Sequence, residues 1–208
     1  MSVAALILAA GASTRMGSPK PLLPWGDGCL LAWELDVLRR SSVDEIVVVT
    51  GAFADDVRRA LPAGSRRHCV FNPLWAQGRS TSLATGANAL LAPSRVRPSA
   101  IVIQNVDQPT RADIIDRLVD ELRVTGAEAV QPSLRGRRGH PVVVDGSLLE
   151  ELAGANEAEL GLRAILQRHP PLQVPMDNEP IVRIDLDTPD TLNEGRRLCG
   201  VPDPTPAG

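Results

Sequence analysis

The stretch Leu8–Pro24 reads LAAGASTRMGSPKPLLP and begins at the end of an apolar run, Val3–Ala9. A short continuous apolar run is typical of a strand that is buried on both faces. The loop after it contains two glycines, two hydroxyl side chains and the cations Arg15 and Lys20. Glycines let backbone N–H groups approach an anion, and cations neutralise phosphate. The loop matches neither the Walker A pattern nor the dinucleotide fingerprint. The stretch therefore predicts a buried strand followed by a phosphate-binding loop of another kind.

Strand-like and helical patterns alternate along the rest of the chain. Beyond Val3–Ala9, the predicted strands are Glu45–Thr50, His68–Phe71, Ala100–Gln104, Glu128–Gln131, Pro141–Val144 and Val182–Leu186. The predicted helices are Leu30–Arg40, Asp55–Leu61, Ser80–Leu91 with Ser80 or Thr81 as N-cap, Ala112–Val124, Ser147–Leu152, Leu160–Arg168 and Asp190–Leu198. This alternation predicts an α/β fold with a mainly parallel sheet. Ligands of such folds bind beyond the carboxyl ends of the strands, so the loops at that edge are the candidate functional segments.

Composition excludes several classes of protein. The chain has 208 residues, of which 43% are hydrophobic, and a formal net charge of −3. We expect one domain over residues 1–200 and a disordered, proline-rich tail over residues 201–208. No apolar run approaches the ~18–20 residues that span a bilayer, and no export signal is recognisable, so a cytoplasmic protein without membrane contact is expected. The net charge argues against a nucleic-acid partner. Three widely spaced cysteines predict neither a disulfide framework nor a zinc site.

The basic residues are unevenly distributed between the two types. All but one of the 22 are arginine, and the single lysine is Lys20, in the glycine-rich loop. Codon bias would explain the arginines, but the position of the lysine favours a functional role.

The stretch Leu8–Pro24 resembles the signature of the MobA-like NTP transferase family, which includes the molybdenum cofactor guanylyl- and cytidylyltransferases. Every fixed position of the pattern L-A-x-G-x-x-x-R-M-G-x-x-K is met. The resemblance implies a single-domain Rossmann-like nucleotidyltransferase (GT-A-like) fold with a mainly parallel mixed sheet. It also implies that the loop wraps the triphosphate of an NTP, with Arg15 and Lys20 on the phosphates. Further nucleotide contacts would come from Leu8, Ala9, Ala10, Gly11 and Ser13.

The resemblance continues in the segment Asn72–Leu83, NPLWAQGRSTSL. It is similar to the family's N-x-x-W-x-x-G-x-x-x-S-L, in which residues matching Asn72, Gly78 and Ser82 help to hold base and ribose. Taken alone, the segment would be interpreted as a turn that leads into a helix.

Two acidic motifs point to a cation. Asp107 follows a predicted strand and precedes Gln108-Pro109, and the family's D-x-P aspartate binds Mg²⁺, although Val106 stands where the family usually has a small residue. A helix N-cap is the competing interpretation of Asp107. Ile184–Pro189 resembles D-x-D-T-P. Residues two apart on a strand face the same side, so both Asp185 and Asp187 are retained as candidate metal ligands.

Other motifs indicate the acceptor. Gly139-His140-Pro141 resembles the G-H-P motif of the cytidylyltransferase branch, and Arg138 ends a basic loop that suits an anion, although a solvated turn explains it equally well. Arg163 resembles the arginine of a G-x-R element, whose preceding acid is displaced or replaced by Glu159.

The resemblance implies a Mg²⁺-dependent reaction in which an acceptor phosphate attacks the α-phosphorus of an NTP and pyrophosphate leaves. Lys20, Arg15 and Asp107 would be catalytic. L-A-A-G tends to accompany CTP in this family, so CTP is the expected nucleotide. The G-H-P motif and the arginine-rich segment favour molybdopterin as the acceptor, with transient contact to molybdoenzymes or their chaperones. Two alternatives remain open: a nucleotidyltransferase for a sugar phosphate, methylerythritol phosphate or phospholactate, and an oxidoreductase or nucleotide-binding accessory protein on the same fold. An NAD enzyme is disfavoured because the second strand ends in Thr50-Gly51, without an acid for ribose.

Overall fold

The computed structural model describes residues 2–13, 18–156 and 161–202. Its centre is an eight-stranded mixed sheet, and a two-stranded hairpin lies beside it. The strands in chain order are β1 Val3–Ala9, β2 Pro24–Trp25, β3 Gly28–Cys29, β4 Glu45–Thr50, β5 Cys69–Phe71, β6 Ala100–Asn105, β7 Ala129–Leu134, β8 Arg137–Arg138, β9 Val142–Asp145 and β10 Leu172–Pro175. The order in the sheet is β10-β7-β9-β6-β1-β4-β5, with β8 paired to β7, and β2 and β3 form the hairpin.

The central and N-terminal strands are parallel. β1 pairs in parallel with β4 and β6, and β4 pairs in parallel with β5, whereas β9 is antiparallel to β6 and β7. The carboxyl ends of β1, β4 and β6 therefore meet at one edge of the sheet. The mainly parallel mixed sheet expected from the sequence is confirmed.

Helices cover both faces of the sheet. They are α1 Leu30–Arg39, α2 Ala54–Ala60, α3 Arg79–Leu90, α4 Ala112–Thr125, α5 Leu149–Ala153, α6 Leu162–Arg168 and α7 Pro189–Leu198. Alternate residues of β1 enter two separate apolar clusters. Val3, Ala5 and Ile7 pack with α1 and α4, whereas Ala4 and Leu6 pack with α3 and α5. The apolar run of β1 is therefore explained by burial on both faces.

Two predictions about local structure are wrong, and one edge strand was not predicted. The predicted strand Val182–Leu186 is not a strand: Pro180–Arg183 forms a 3₁₀ helix and irregular chain follows it. The edge strand β10 was missed, because prolines before and at its end hide a short strand pattern. α3 begins at Arg79 with Gly78 as its N-cap, and Thr81 Oγ1 donates to the carbonyls of Leu74 and Gly78 instead of capping the helix.

The C-terminal boundary also differs from the expectation. The N–H of Val201 donates to the carbonyl of Arg196 at 2.8 Å, and its side chain packs against the core next to Gly26. The ordered chain therefore extends past residue 200, while residues 203–208 of the predicted tail lie outside the described part. Among the described residues, no helix is both long and apolar enough to cross a membrane.

Candidate active site

A cavity of about 290 Å³ opens at the carboxyl ends of β1 and β6. The strand ends, the phosphate loop and the start of α3 form its wall. The described residues that line it are Leu8, Ala9, Ala10, Gly11, Ala12, Ser13, Lys20, Pro21, Arg79, Ser82, Asn105, Val106, Asp107 and Asp187. Most of the nucleotide-side residues proposed from the sequence are thus brought together.

The described parts of the phosphate loop leave room for an anion. Ser13 Oγ accepts a hydrogen bond from the backbone N–H of Lys20 at 2.9 Å, which closes the loop on itself. Among the described residues other than its two chain neighbours, none has an atom within 4 Å of the place where a Cβ on Gly11 would stand, so these residues leave the backbone there open to a ligand. On the other side, a Cβ on Gly51 would lie 2.5 Å from the Ala10 carbonyl oxygen. Only glycine therefore lets the end of β4 pack against this loop. Arg15 lies outside the described residues.

Lys20 stands between two carboxylates at the base of the cavity. Its Nζ lies 2.8 Å from Asp107 Oδ2 and 2.6 Å from Asp187 Oδ1, and the lysine side chain is 12% exposed. Burial lowers the pKa of Lys20, but the hydrogen bonds to Asp107 and Asp187 outweigh it and raise the pKa above its ordinary value. The ammonium is therefore charged at neutral pH.

The two candidate aspartates of the D-x-D-T-P motif have different partners. The N–H of Leu186 donates to the carbonyl of Asp107 at 2.9 Å, which places Asp187 at the cavity. Asp185 Oδ1 instead accepts from Gln108 Nε2 at 2.7 Å. The segment is irregular chain, so the argument that both carboxylates share one face of a strand is wrong. Asp187 lines the cavity with Asp107, and Asp185 holds the neighbouring loop.

A hard cation would find two oxygen donors here. Asp107 and Asp187 already hold one cation, the lysine ammonium, at hydrogen-bond distance. In the part of the chain that the structure describes, no group of three or more His, Cys, Asp or Glu side chains is placed to hold a metal. Mg²⁺ commonly takes one or two carboxylates and completes its shell with substrate phosphates and water. The donor set therefore fits Mg²⁺ that arrives with a nucleotide.

Asn72 acts at a distance from the cavity. The side chain is fully buried; its Nδ2 donates to Thr81 Oγ1 and Ser82 Oγ, and its Oδ1 accepts from the N–H of Leu74. These bonds fix the turn before α3 against its first residues. Of the three residues predicted in this segment, Ser82 lines the cavity, while Asn72 and Gly78 shape the backbone that presents it.

None of the predicted acceptor-side residues lines the cavity. His140, joined to Pro141 by a cis peptide bond, is 8% exposed, and its Nε2 lies 2.8 Å from the Ile184 carbonyl oxygen. Burial lowers the pKa of His140 to about 4, so the ring is neutral at pH 7. The N–H of Gly139 donates to Pro132 O, and the N–H of His140 donates to the Val182 carbonyl. The G-H-P motif thus anchors the chain that leads to Asp187, and the expected contact of His140 with an acceptor is corrected to a supporting contact.

The two acceptor-side arginines are exposed. Arg138 forms part of the short strand β8, and its carbonyl accepts from Arg183 Nη1 at 2.8 Å. Arg163 lies in the first turn of α6, where Gly161 packs so closely on Ser80 that a Cβ on the glycine would stand 2.0 Å from Ser80 Oγ. The start of α6 is therefore fastened to the start of α3, next to the cavity. Glu159 lies outside the described residues.

Sequence reasoning missed three contributors. Arg79 and Asn105 line the cavity. Gln108 links Asn105 to Asp185, because its Oε1 accepts from Asn105 Nδ2 at 2.8 Å and its Nε2 donates to Asp185 Oδ1. Arg79 follows the segment's glycine directly and starts α3, so its place at a strand-to-helix turn was the available signal. Nothing local distinguishes Asn105 and Gln108 from ordinary loop residues.

A buried acid lies behind the Asp107 loop. Glu34 of α1 is 1% exposed, and its Oε1 accepts from Gln104 Nε2 of β6 at 3.1 Å. Burial raises the pKa of Glu34 well above its ordinary value, and the nearby charge of Asp107 adds to the rise. Glu34 Oε2 and Gln104 Oε1 are both buried without a partner among the described residues. A protonated Glu34 would supply the one hydrogen that satisfies both oxygens.

The chain is similar to proteins of known families. A family model described as the MobA-like NTP transferase domain matches residues 5–173. The molybdenum cofactor cytidylyltransferase of Escherichia coli (strain K12) is 30% identical over 187 residues, covering 89% of this chain and 91% of the relative. The nicotine blue oxidoreductase of Paenarthrobacter nicotinovorans is 30% identical over 175 residues, covering 81% and 83%.

Solved structures share the whole fold. Rv0371c from Mycobacterium tuberculosis H37Rv superposes with a TM-score of 0.76 at 27% identity, covering 95% of this chain and 99% of that one. A structure of the same protein in complex with manganese superposes with a TM-score of 0.71 at 25% identity and the same coverage.

Proposed function

The chain belongs to the MobA-like NTP transferase family, and we propose that it transfers a cytidylyl group from CTP to a phosphate of a molybdopterin-type acceptor. The observation that carries the proposal is the lysine held between two aspartates, Asp107 and Asp187, in the cavity that the described parts of the phosphate loop line. The cytidylyltransferase relative supports the choice of nucleotide and acceptor.

The reaction needs positioning more than covalent chemistry. An oxygen of the acceptor phosphate forms a bond to the α-phosphorus of CTP, and the bond from that phosphorus to the bridging oxygen breaks. Pyrophosphate leaves with the electron pair, and an acceptor phosphate ionised at pH 7 needs no general base. Catalysis then consists of alignment and stabilisation of the charge that develops on the oxygens.

In this reaction the residues of the site would take the following roles. Lys20 reaches the α-phosphate from the base of the cavity, and Arg79 and Arg15 bind the outer phosphates. Asp107 and Asp187 would hold Mg²⁺, which would neutralise phosphate oxygens of the substrate. Asp185 and Gln108 keep the Asp107 loop in place through their 2.7 Å hydrogen bond.

On the acceptor side, the exposed arginines Arg138 and Arg163 offer charge to an anion. His140 acts through the chain, because its hydrogen bonds to the Val182 and Ile184 carbonyls hold the segment that leads to Asp187, and Gly139 packs closely against Val182. A molybdopterin acceptor would pass its product to a molybdoenzyme or its chaperone, so transient contact with such proteins is part of the proposal.

A second candidate is favoured by one observation, the 30% identity to an oxidoreductase over most of the chain. β4 offers little to a dinucleotide: it ends at Thr50, which is buried and whose Oγ1 donates to the Val70 carbonyl. An acid that binds ribose at that strand end is therefore lacking, and the nucleotidyl transfer remains the preferred function. Transfer to another phosphorylated acceptor, such as methylerythritol phosphate, is tested beside it.

The deciding experiment measures pyrophosphate release with each of four NTPs, Mg²⁺ and purified molybdopterin. Parallel reactions contain methylerythritol phosphate, a sugar phosphate or phospholactate as acceptor, and a separate reaction follows oxidation of NADH and NADPH. We expect release with CTP and molybdopterin, and none with Asp107→Asn, which keeps the size of the side chain but loses its charge. If pyrophosphate is released only with one of the other acceptors, that compound would replace molybdopterin as the proposed acceptor. Oxidation of NADH or NADPH without release of pyrophosphate would show that the protein is an oxidoreductase and not a nucleotidyltransferase.

A further inference from the structure

The position of Lys20 has a consequence for the order of binding. Its ammonium lies 2.8 Å from Asp107 Oδ2 and 2.6 Å from Asp187 Oδ1, so it already occupies the space between the two carboxylates proposed to hold Mg²⁺. The lysine thus supplies the positive charge that this pair of acids requires when no other cation is bound.

An ammonium and a divalent ion compete for such a pair. Mg²⁺ binds carboxylate oxygens at about 2.0–2.1 Å, which would leave the ammonium only a few Å from a double positive charge. Like charges at that distance in a partly buried site repel strongly. The side chains of Lys20 and Asp107 are 12% and 17% exposed, so solvent screens the repulsion less there than it would at the protein surface.

The backbone holds Lys20 in place while the side chain can move. The backbone N–H is bound by Ser13 Oγ, and the residue begins a 3₁₀ helix, Lys20–Leu22, in which Pro21 is buried. The flexible four-carbon stem of lysine can therefore carry its charge from the aspartates to the open phosphate loop without movement of the chain. The other described cation on the cavity wall, Arg79, makes no ion pair with these aspartates.

We propose that Lys20 is an internal counter-ion, which occupies the divalent-cation position in the nucleotide-free protein and moves to the nucleotide phosphates when cation and nucleotide arrive together. The inference deepens the proposed function and rests on its assignment of Asp107 and Asp187 as cation ligands. It implies that a divalent ion alone binds weakly. It also implies that nucleotide and ion strengthen each other's binding by the same factor, since coupling between two ligands is reciprocal.

The first test measures binding of Mn²⁺ alone to nucleotide-free protein, with free Mn²⁺ counted by electron paramagnetic resonance. Lys20→Met keeps much of the side chain's length and removes the charge. We expect it to bind Mn²⁺ about tenfold more tightly than the wild type. Arg79→Met is the matched control, because it removes a cation of the same cavity that is not paired with the aspartates, and it should give a much smaller change. Equal or weaker binding by Lys20→Met, or an equal gain in Arg79→Met, would overturn the proposal.

The gain must depend on the proposed ligands. Adding Asp107→Asn to Lys20→Met should abolish the tighter Mn²⁺ binding, and persistence of the gain would place the ion elsewhere and refute the competition. This binding assay is independent of turnover. If Lys20→Met binds Mn²⁺ more tightly but the wild type transfers no nucleotide, the proposed function fails and the role of Lys20 as counter-ion stands. If the wild type transfers nucleotide but Lys20→Met shows no tighter binding, the counter-ion proposal fails and the proposed function stands.

A second measurement uses the wild-type chain and so does not depend on folding of a variant. Because Lys20 is the only lysine, ¹³C-lysine labelling gives a single set of side-chain NMR signals. We expect the Cε signal to change little with millimolar Mg²⁺ alone and to shift clearly when Mg²⁺ and CTP are added together. A full shift with Mg²⁺ alone, or no shift with both, would contradict the exchange of partners.

Discussion

Lys20 and His140 contact the two ends of the segment 184–187, and their surroundings treat their charges in opposite ways. Lys20 binds Asp187 from the cavity side, and two hydrogen-bonded carboxylates raise its pKa despite burial. His140 binds the Ile184 carbonyl from the interior, and burial lowers its pKa to about 4 although Asp185 opposes the shift. The difference shows where this protein keeps charge. Of these two basic groups, the one paired with carboxylates at the cavity stays ionised, and the one buried against a backbone carbonyl is neutral.

Glu34 extends the same contrast to an acid. Asp107 and Asp187 face the cavity and are paired with a cation, whereas Glu34 lies behind them and shares hydrogen-bonding groups only with Gln104. Burying an isolated charge is far more costly than burying a neutral, hydrogen-bonded group. The interior pair is therefore uncharged, and the cavity pair is charged and exposed to exchange.

The largest expected effect is at Lys20. Removing one preorganised donor to a developing charge costs about 3–4 kcal/mol, or about 10²–10³ in rate. Lys20→Ala should therefore lower kcat much more than it raises KM for the nucleotide, measured by steady-state pyrophosphate release. Lys20→Arg restores the charge but not the shape, since the planar guanidinium does not fit between two carboxylates held for an ammonium. A fully active Lys20→Arg would show that position 20 needs only a positive charge.

Only part of the contrast between Lys20 and His140 could be predicted from the sequence. The phosphate loop, β1 and Asp107 follow from local pattern, because a continuous apolar run and a glycine-rich loop depend on neighbouring residues. Residues 182–186 alternate like a strand, yet Pro180 and the bonds from His140, more than forty residues earlier, give them another form. The burial of His140 and the separate partners of Asp185 and Asp187 arise from contacts between distant segments, which single-sequence patterns do not contain.

The next effect concerns stability and is carried by His140. Its pKa is 6.5 in the unfolded chain and about 4 in the folded one, so the unfolded state binds more protons between these values. The stability of the wild type should therefore fall as pH drops from about 6.5 to about 4, by up to about 3 kcal/mol from this residue. His140→Phe should cost about 1–3 kcal/mol at pH 7.5, because the Ile184 carbonyl loses its donor. The difference in the free energy of unfolding between the wild type and His140→Phe, measured by urea unfolding, should become smaller as the pH approaches 4.

His169 is the matched control for that experiment. It is placed between Glu128 and Glu151, whose hydrogen bonds raise its pKa. The stability it contributes is present below pH 6.5 and is lost as pH rises through its folded pKa, so the gap between the wild type and His169→Phe should widen on acidification. The same pH trend in both variants would remove the assignment of His140 as a buried neutral ring.

A smaller gain is expected from Glu34→Gln. The folded pKa of Glu34 lies well above the ordinary 4.5, so the wild type should lose about 1.4 kcal/mol of stability for each pH unit from about 4.5 up to that pKa. Glutamine cannot ionise, accepts from Gln104 Nε2 and donates to Gln104 Oε1. The variant should match the wild type near pH 4.5 and exceed it in urea unfolding at pH 7.5, whereas Glu34→Met, which lacks both bonds, should be less stable at both. If Glu34→Gln is less stable than the wild type at pH 7.5, the Glu34 carboxylate is ionised and paired in the folded protein.

The smallest effect concerns the apolar wall of the same cavity and the choice of base. Ala10 lines the cavity and is 4% exposed, and a Cβ on Gly51 would stand 2.8 Å from the Ala10 methyl group. The methyl therefore fills the junction between the ends of β1 and β4, and the wall offers less room than glycine would leave. We therefore expect a pyrimidine to fit this site with less displacement than a purine. If that discrimination is about tenfold, it corresponds to about 1.4 kcal/mol, or about 3–5 °C in Tm for a chain of this size.

With Mg²⁺ and equal concentrations, CTP should raise the Tm more than GTP does, since only ligand bound to the native state stabilises it. UTP should resemble CTP if ring size decides, and Ala10→Gly should narrow the difference between CTP and GTP. Equal shifts in the wild type would remove the base preference, and an undiminished preference in Ala10→Gly would move its origin away from this methyl group.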